Sequence, residues 1–287
     1  MKSSLPKKAL LRFPWCVLMI TAGGCCIHIA CFGPQAKYKR TVRVSAPLRA
    51  NGLFSAETHN GSISIAGADV TSCNLAAEIT GRAGSEREAQ RLAEETTVTL
   101  EPSANRLTVK IRRPRMAPGQ SVCVSLDGTI PKQTDLELET HNGAIEVSNI
   151  VGRVNAITNN GNVTASGVYG TCNLRSHNGS INCREVSGNA ELITHNGNVC
   201  ASYSQAAAPI CNASITTCNG SIDFTAPRGL SAAVEASTHN GSIETELPLT
   251  VVGKVGPRKL EGTVGAGRGK LCLKTYNGSI KIRNGAK

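Results

Sequence analysis

A four-residue turn recurs along this chain and constrains its fold more than any other feature. The turn is Thr or Ser, one variable residue, and then Asn-Gly. The turn asparagines are Asn60, Asn142, Asn160, Asn178, Asn196, Asn219, Asn240 and Asn277. From Asn142 to Asn196 they are spaced by 18 residues, and the later spacings are 23, 21 and 37. Nearly constant periods of this length are typical of solenoids and other repeat arrays, so the sequence predicts one repeated structural unit.

Apolar and polar residues alternate on both sides of each turn. Before the Asn, positions −6 and −4 are mostly apolar, as in Leu136 and Leu138. After the Asn, position +3 is Ile or Val in every copy. A period of two is typical of half-buried strands, so each repeat is predicted to contain two strands joined at the turn. Asn-Gly also predicts a corner with φ > 0 at two successive residues, or a left-handed corner.

Two architectures fit this pattern. In a meander, each Asn-Gly would be a hairpin turn between neighbouring strands of one sheet. In a solenoid, each unit would be one coil with two strands and two corners. We favour the solenoid because an in-phase repeat stacks like residues, and the turn asparagines would then form a ladder with about 4.8 Å between coils. The predicted fold is therefore all-β, a single-stranded β-solenoid (β-helix) of coils of 18–23 residues.

Residues 81–135 interrupt the repeat. Ser85 followed by Glu88 is a capping-box signal, and the residues after it predict a short helix at about 84–95. Strands are predicted at 97–100, 107–111 and 122–126. Because the end of a solenoid must cover its open edges, we interpret this segment as a cap. The predicted organisation is a signal, lipoprotein or membrane-anchor segment at 1–36, a solenoid start with a helix-containing cap at 37–135, and solenoid repeats at 136–287.

The basic charge of the chain is concentrated at its N-terminus. Residues 1–50 contain nine Lys or Arg and no acidic residue, which leaves 22 basic and 20 acidic residues in the remainder. This distribution fits membrane targeting better than a nucleic-acid groove, and the few aromatic residues offer no platform for stacked bases. We therefore expect no nucleic-acid partner.

The N-terminal segment has the pattern of an export signal. Four basic residues precede an uncharged run at 13–32, which is just long enough to span a bilayer as a helix. Alternatively, the run is a signal-peptide core that ends at Ala22-Gly23-Gly24-Cys25, where Cys25 would carry a lipid after cleavage. An uncleaved anchor and an ordinary cleaved signal remain open. Each alternative predicts export to the cell envelope, and two of them attach the chain to a membrane through its N-terminus.

The order of these features resembles a known family. The elements that carry the resemblance are the helix at 86–92, the strand pair at 98–111, and the phrases at 130–147 and 265–280. Together they resemble the bacterial putative-adhesin family of unknown function, over roughly residues 41–283. The resemblance implies a single-stranded β-helix behind a signal or lipoprotein anchor and association with the envelope. It implies no catalytic residues.

The variable residue of the turn is His in five copies, which raises the possibility of a metal site. In a solenoid these side chains would form one column, with imidazoles about 5 Å apart that could share a transition metal. The alternative is a solvent-facing ladder, since Asn159 and Tyr276 occupy the same position. The candidate metal ligands are His177, His195, Cys218 and His239.

No set of residues predicts catalysis, and no cofactor is expected. A polysaccharide-active enzyme would need paired carboxylates, but the chain has four Asp, and its Glu residues recur irregularly at outward positions. Cys172 and Cys183 flank one turn at inward positions, as either a disulfide or small core residues. We expect a non-catalytic protein acting in adhesion, binding or scaffolding, with a glycan or an envelope protein as its partner. The alternatives are an envelope-stress accessory working through a membrane partner and, third, the enzyme.

Overall fold

A computed structural model describes residues 35–251 and 256–285 of the chain. The predicted signal or anchor segment, including Cys25, lies outside the described residues except for Gln35 and Ala36. The described helix is α1 (Glu86–Glu95). In chain order, the described strands are β1 (Ala36–Pro47), β2 (Gly52–Asn60), β3 (Ile63–Ala68), β4 (Ser72–Ala83), β5 (Thr97–Ser103), β6 (Arg106–Arg112), β7 (Ser121–Pro131), β8 (Thr134–Asn142), β9 (Ile145–Val151), β10 (Val154–Asn160), β11 (Val163–Tyr169), β12 (Cys172–Asn178), β13 (Ile181–Val186), β14 (Ala190–Asn196), β15 (Val199–Tyr203), β16 (Asn212–Asn219), β17 (Ile222–Thr225), β18 (Ala232–Asn240), β19 (Ile243–Thr245), β20 (Thr250–Val251), β21 (Lys259–Val264), β22 (Gly269–Asn277) and β23 (Ile280–Arg283).

Each regular coil contributes one strand to each of two sheets. Sheet A contains β9, β11, β13 and β15 as parallel neighbours, and sheet B contains β8, β10, β12 and β14 in the same way. Strands that follow each other in sequence, such as β8 and β9, therefore lie in different sheets. The predicted β-solenoid is confirmed, and the meander is wrong because its successive strands would pair with each other.

The interior between the sheets is filled by the alternating apolar positions. In the coil of β8 and β9, Leu136, Leu138, Ile145 and Val147 are buried, and equivalent side chains of neighbouring coils lie beside them. Burying one such side chain contributes roughly 1.5–3 kcal/mol. The core is therefore a continuous stack of small layers, with no separate centre for each coil.

A third inward residue in sheet A depends on a left-handed residue before it. Position +7 after the turn Asn has positive φ in three successive coils, at Asn149 (56°), Gly167 (62°) and Glu185 (55°). This bulge turns the next side chain inward, so that Ile150 and its equivalents are buried. Asn, Gly and Glu share no chemical type, so the sequence carries no signal for this bulge.

The reason expected for glycine in the turns holds only in part, because Gly61, Gly241 and Gly278 have positive φ and the other turn glycines do not. The predicted positive φ at the turn asparagines is wrong, because the non-glycine residues with positive φ in the described part of the chain lie elsewhere. Instead, neighbouring backbones approach too closely for a side chain: a Cβ on Gly179 would lie 1.9 Å from the carbonyl oxygen of Gly161. The non-glycine residues with positive φ are Asn51, Ala104, Asn149 and Glu185.

The last coils do not stack in chain order. The coil of β22 and β23 lies between the coil of β16 and β17 and the coil of β18 and β19. Between them the chain turns back through β20 and β21, which extend sheet B beyond β18 as antiparallel strands. The 37-residue spacing from Asn240 to Asn277 therefore contains a reversal of direction along the stack.

The other end of the solenoid is capped as the sequence predicts. Sheet A continues from β3 through β7, β4 and β1, the last three pairing antiparallel, and sheet B continues from β2 through β6 and β5. The predicted helix and strands are confirmed as α1, β5, β6 and β7, and the Ser85 side chain accepts the predicted capping bond from the backbone N–H of Glu88. Ala89, Leu92 and Ala93 of α1 are buried. No helix among the described residues is long and apolar enough to cross a membrane.

Arg40 of β1 binds the C-terminal end of α1. Its Nε donates to the carbonyl oxygen of Ala93 at 2.8 Å, and its Nη2 donates to those of Thr96 at 2.7 Å and Glu94 at 3.2 Å. The last carbonyls of a helix lack partners within the helix and carry partial negative charge, so a guanidinium satisfies both needs. Arg40 therefore joins the helix to the first strand of the cap.

Replacing Arg40 should loosen the cap selectively. Arg40→Ala removes charge-assisted hydrogen bonds to three carbonyls, so we expect the free energy of unfolding to fall by about 1.5–3 kcal/mol in urea titration followed by circular dichroism. The matched control is Arg43→Ala, an exposed arginine on the same strand. Equal effects of the two substitutions would contradict the capping role.

Candidate functional site

The turn asparagines form one continuous ladder along the corner between the sheets. Except at Asn60, each Nδ2 donates to the Oδ1 of the asparagine in an adjacent coil, at 2.7–2.9 Å. Interior members of the column both donate and accept, so their amides satisfy one another along the stack. Along the stack, the column consists of Asn60, Asn142, Asn160, Asn178, Asn196, Asn219, Asn277 and Asn240.

The Thr or Ser and the Gly of the turn also bind the neighbouring coil. The hydroxyl of Thr194 donates to the carbonyl oxygen of Gly179 at 2.8 Å, and the N–H of Gly179 donates to the carbonyl oxygen of Asn196 at 2.9 Å. The same arrangement recurs through the stack, for example from Thr158 to Gly143 at 2.9 Å. Thr, Asn and Gly therefore hold adjacent coils together, whereas the variable residue faces solvent without a fixed role in this contact.

That variable position forms three stacked pairs of rings beside the asparagine ladder, here called the ring column, which Asn159 and Cys218 interrupt. The ring centroids of His177 and His195 are 5.0 Å apart with planes 2° from parallel, and those of His239 and Tyr276 are 4.5 Å apart. At the cap end, His59 and His141 stack in the same way at 4.8 Å. The rings point their edges outward, and each imidazole edge carries hydrogen-bonding nitrogens.

The four candidate metal ligands do not come together. Tyr276 lies between Cys218 and His239, because the coil of β22 is inserted there. His177 and His195 are neighbours, but two Zn–N bonds allow their nitrogens to be at most about 4.2 Å apart, less than the spacing of these parallel rings. Across residues 35–251 and 256–285, no group of three or more His, Cys, Asp or Glu is placed to hold a metal ion.

An open groove of about 590 Å³ runs beside the ring column on sheet B. The half-buried Ile157 and Ile193 form its apolar floor. Its cations are Arg175, paired with Glu191 at 3.1 Å, and Lys274, paired with Glu235 at 3.1 Å. The groove crosses several coils and combines apolar surface, charges and ring edges, a combination that suits an extended amphipathic ligand. Its remaining lining residues include Asn159, His177, His195, Thr216, Cys218 and Tyr276.

The carboxylates of the coils are mostly tied to cations. Besides Glu191 and Glu235, Glu137 pairs with Arg106, and Glu244 lies 3.6 Å from Lys281. One adjacent pair was missed by the sequence analysis: Glu57 and Glu139 are register partners on β2 and β8. They lie 82 residues apart in sequence, and the signal that could have joined them is the phrase Glu-Thr-His-Asn-Gly, which both coils contain.

Cys172 and Cys183 meet across the interior of one coil. Both are buried free thiols, and their sulfur atoms are 3.4 Å apart. The hydrogen bond with Cys172, together with burial, raises the pKa of the Cys183 thiol above its ordinary value. A thiol with a raised pKa remains protonated at neutral pH, so Cys183 is a packing residue here and a poor nucleophile.

Breaking the asparagine ladder in its middle should destabilise the solenoid. Asn178→Ala removes the bonds to Asn160 and from Asn196, so we expect the free energy of unfolding to fall by about 1–2 kcal/mol. The measurement is urea denaturation of the variant against the wild-type chain. Asn173→Ala on the same strand is the control, because its half-buried outward side chain has no hydrogen bond within the described part of the chain. A loss for Asn178→Ala no larger than that of the control would refute a stabilising ladder.

Comparison with known proteins gives one family and several distant structures. A family model described as Toastrack DUF4097 matches residues 28–283, which confirms the resemblance inferred from the sequence. No curated protein matches significantly. A putative adhesin from Bacteroides fragilis is 13% identical, with 85% of this chain and 97% of that chain covered and a TM-score of 0.37. A putative cell adhesion protein from Clostridium sporogenes is 11% identical, with 85% and 100% covered and a TM-score of 0.33.

A third structure has a different description. A putative lipid binding protein from Parabacteroides distasonis is 11% identical, with 88% of this chain and 97% of that chain covered and a TM-score of 0.28. Matches this distant carry no argument about the ligand of this chain. The chemistry of its own surface must supply that argument.

Proposed function

The chain belongs to the Toastrack DUF4097 family, and on that premise we propose that it is a non-catalytic binding and scaffolding protein, exported and held at the cell envelope. Its binding surface is the sheet B groove beside the stacked rings, and its ligand is an extended envelope glycan. The observation that carries this proposal is the alignment of ring edges, cations and apolar floor across successive coils.

The chemistry of the groove matches that of a glycan. A sugar chain presents apolar C–H faces and many hydroxyl groups, and each needs a different partner. Ile157 and Ile193 offer apolar contact, while the edges of His177 and His195 and the hydroxyl of Thr216 offer donors and acceptors. Because equivalent positions repeat at every coil, a polymer can use several of them at once, and contacts that are weak alone gain from their number.

The ion pairs of the outward carboxylates support a role without catalysis. A glycosidase needs one carboxylic acid and one carboxylate that face the same bond. No Asp or Glu of the described chain lines the groove, and its cations Arg175 and Lys274 are paired with Glu191 and Glu235 beside it. These pairs shape the groove and leave it without a free acid and base.

Attachment to the envelope is supported by the order of the N-terminal residues. Lys2, Lys7, Lys8 and Arg12 precede the apolar run at 13–32, which is the arrangement of a signal or membrane anchor. Lipidation at Cys25 would hold the chain after cleavage, and an uncleaved run would hold it as a helix. In either form the solenoid is proposed to lie outside the cytoplasm, where envelope glycans are found.

Removing the ring edges should weaken glycan binding. The test is co-sedimentation of the full chain with cell-wall glycan isolated from the producing cells. The triple variant His177→Ala, His195→Ala, Tyr276→Ala should bind about tenfold or more weakly, which corresponds to a loss of about 1.4 kcal/mol or more. The matched control is His59→Ala with His141→Ala, since this pair stacks at a similar distance but lies outside the groove.

Two results would contradict the proposal. If the wild-type chain does not sediment with the glycan, the ligand class is wrong. If the control pair weakens binding as much as the triple variant, the groove is not the binding surface. Thermal unfolding of each variant separates loss of binding from loss of fold.

A further inference from the structure

The described chain begins at one edge of the cap, and basic residues gather there. The side-chain amide of Gln35 donates to the carbonyl oxygen of Gly119 at 2.7 Å, which places the β6–β7 connection beside the start of β1. Within sheet A, Lys37 of β1 is the register partner of Arg82 of β4. Arg82 is in turn the partner of Ser121, which directly follows the β6–β7 connection. The beginning of β1, the end of β4 and the β6–β7 connection therefore share one edge.

The cations of this edge are not neutralised. Lys37, Arg82 and Arg115 are exposed, and none has an ion pair with another described residue. The neighbouring Lys39, by contrast, is paired with Glu78 at 2.8 Å. Both charged residues in the β6–β7 connection are arginines, and β1 contains four basic residues and no acidic one. The first turn of α1, which directly follows β4, carries the exposed Glu86, Arg87 and Glu88, a net charge of −1. The cap edge still presents net positive charge to solvent, although residues 51–287 are close to neutral.

An apolar side chain lies among these charges. Met116 is 44% exposed, one of few large hydrophobic side chains exposed in the described part of the chain. It directly follows Arg115 in the β6–β7 connection. Such a group suits a membrane interface, because the cations can bind its anionic surface while the apolar residue enters the layer beneath.

We propose that this basic edge, made of Lys37, Arg82, Arg115 and Met116, rests on an anionic phospholipid surface. The three cations contact headgroup phosphates, and Met116 enters the boundary of the acyl chains. The inference deepens the proposed function and rests on its membrane attachment. The apolar run of the predicted anchor ends at Phe32. From a lipid on Cys25 the chain would need ten residues to reach Gln35, whereas from an uncleaved run it reaches Gln35 in three residues, which span at most about 11 Å. That length is close to the Debye length of about 8 Å at physiological ionic strength, so the charges of the edge would interact with the headgroups.

Contact through this edge would also set the orientation of the solenoid. The edge belongs to the cap, next to β1, β4 and β7, whereas the groove is lined by β10, β12, β14, β16 and β22 of sheet B. Lipid at the cap edge leaves the groove free for its ligand. The two surfaces therefore serve different partners: phospholipid at the cap and glycan along the coils.

A single-tryptophan reporter tests the contact directly. The chain has one tryptophan, Trp15, so Trp15→Phe combined with Met116→Trp makes a full-length protein that reports from the edge alone. It is reconstituted into phosphatidylcholine vesicles with or without phosphatidylglycerol, with phospholipid brominated near the headgroup as the quencher. We expect at least twofold stronger quenching in the anionic vesicles, reduced at high salt. The matched control is Trp15→Phe with Ile210→Trp, since Ile210 is 47% exposed on the β15–β16 connection.

A charge variant shows whether the cations cause the contact. In the reporter background, Lys37→Gln, Arg82→Gln and Arg115→Gln should abolish the additional quenching in anionic vesicles, while Arg43→Gln on the same strand should leave it unchanged. Equal quenching of the Met116→Trp and Ile210→Trp reporters would overturn the proposal, as would quenching unaffected by the triple variant.

Membrane attachment itself is read separately, by resistance of the chain to alkaline carbonate extraction. A chain that resists extraction without quenching at the edge overturns this inference and leaves the anchoring intact. Quenching of an extractable chain supports the edge contact and contradicts the anchoring. If neither is observed, both are wrong.

Discussion

The close approach of neighbouring backbones at the Asn-Gly corner is the constraint on which the rest of the solenoid depends. Because Gly179 has no Cβ, the carbonyl oxygen of Gly161 fits beside it. On its other side, Thr194 donates to the carbonyl oxygen of Gly179, and the carbonyl oxygen of Asn196 accepts from its N–H. The asparagine amides then close the outer side of the corner. Three of the four residues of each turn form this contact, and they hold the coils in one register.

A fixed register decides which side chains can act together on the surface. Because equivalent positions are adjacent at every coil, residues that are 18 or more positions apart in sequence become neighbours in a column. The variable turn position becomes the ring column, and the position two residues before it becomes the groove floor and its cations. The corner therefore provides a scaffold of nearly constant geometry. The side chains that differ from coil to coil lie at outward positions that take no part in the corner.

The positions of the corners and of the strands could be predicted from the sequence because both are local patterns, although the backbone conformation predicted for the turn asparagines was wrong. The 18-residue spacing, the inward apolar positions and the capping signal at Ser85 each predict a structure that the chain adopts. The order of the last coils could not be predicted, since a 37-residue spacing does not show that the chain reverses between Asn240 and Asn277. That reversal separates Cys218 from His239. The contacts of Arg40 with α1 and of Glu57 with Glu139 join distant segments, and pattern analysis along the chain does not detect such contacts.

Some residues have roles other than those their positions indicate. Arg40 is one of several basic residues after the apolar run, where charge alone points to membrane topology. Its guanidinium instead holds the end of α1, while Lys37 on the same strand is exposed at the cap edge. The alternation of β1 separates these roles, because adjacent residues of a strand face opposite sides.

Amide hydrogen exchange at the turn glycines tests the central claim most directly. Except for Gly241 at the end of the stack, the N–H groups of the turn glycines donate to the carbonyl oxygen of an adjacent coil's asparagine at 2.9 Å, for example from Gly161 to Asn178 and from Gly179 to Asn196. In a chain labelled with ¹⁵N-glycine, these amides should be protected from exchange to the same degree as amides in the central strands. Rapid exchange at the turn glycines beside protected strands would mean that the turns face solvent as ordinary loops, and would contradict the role of the corner in holding the coils together.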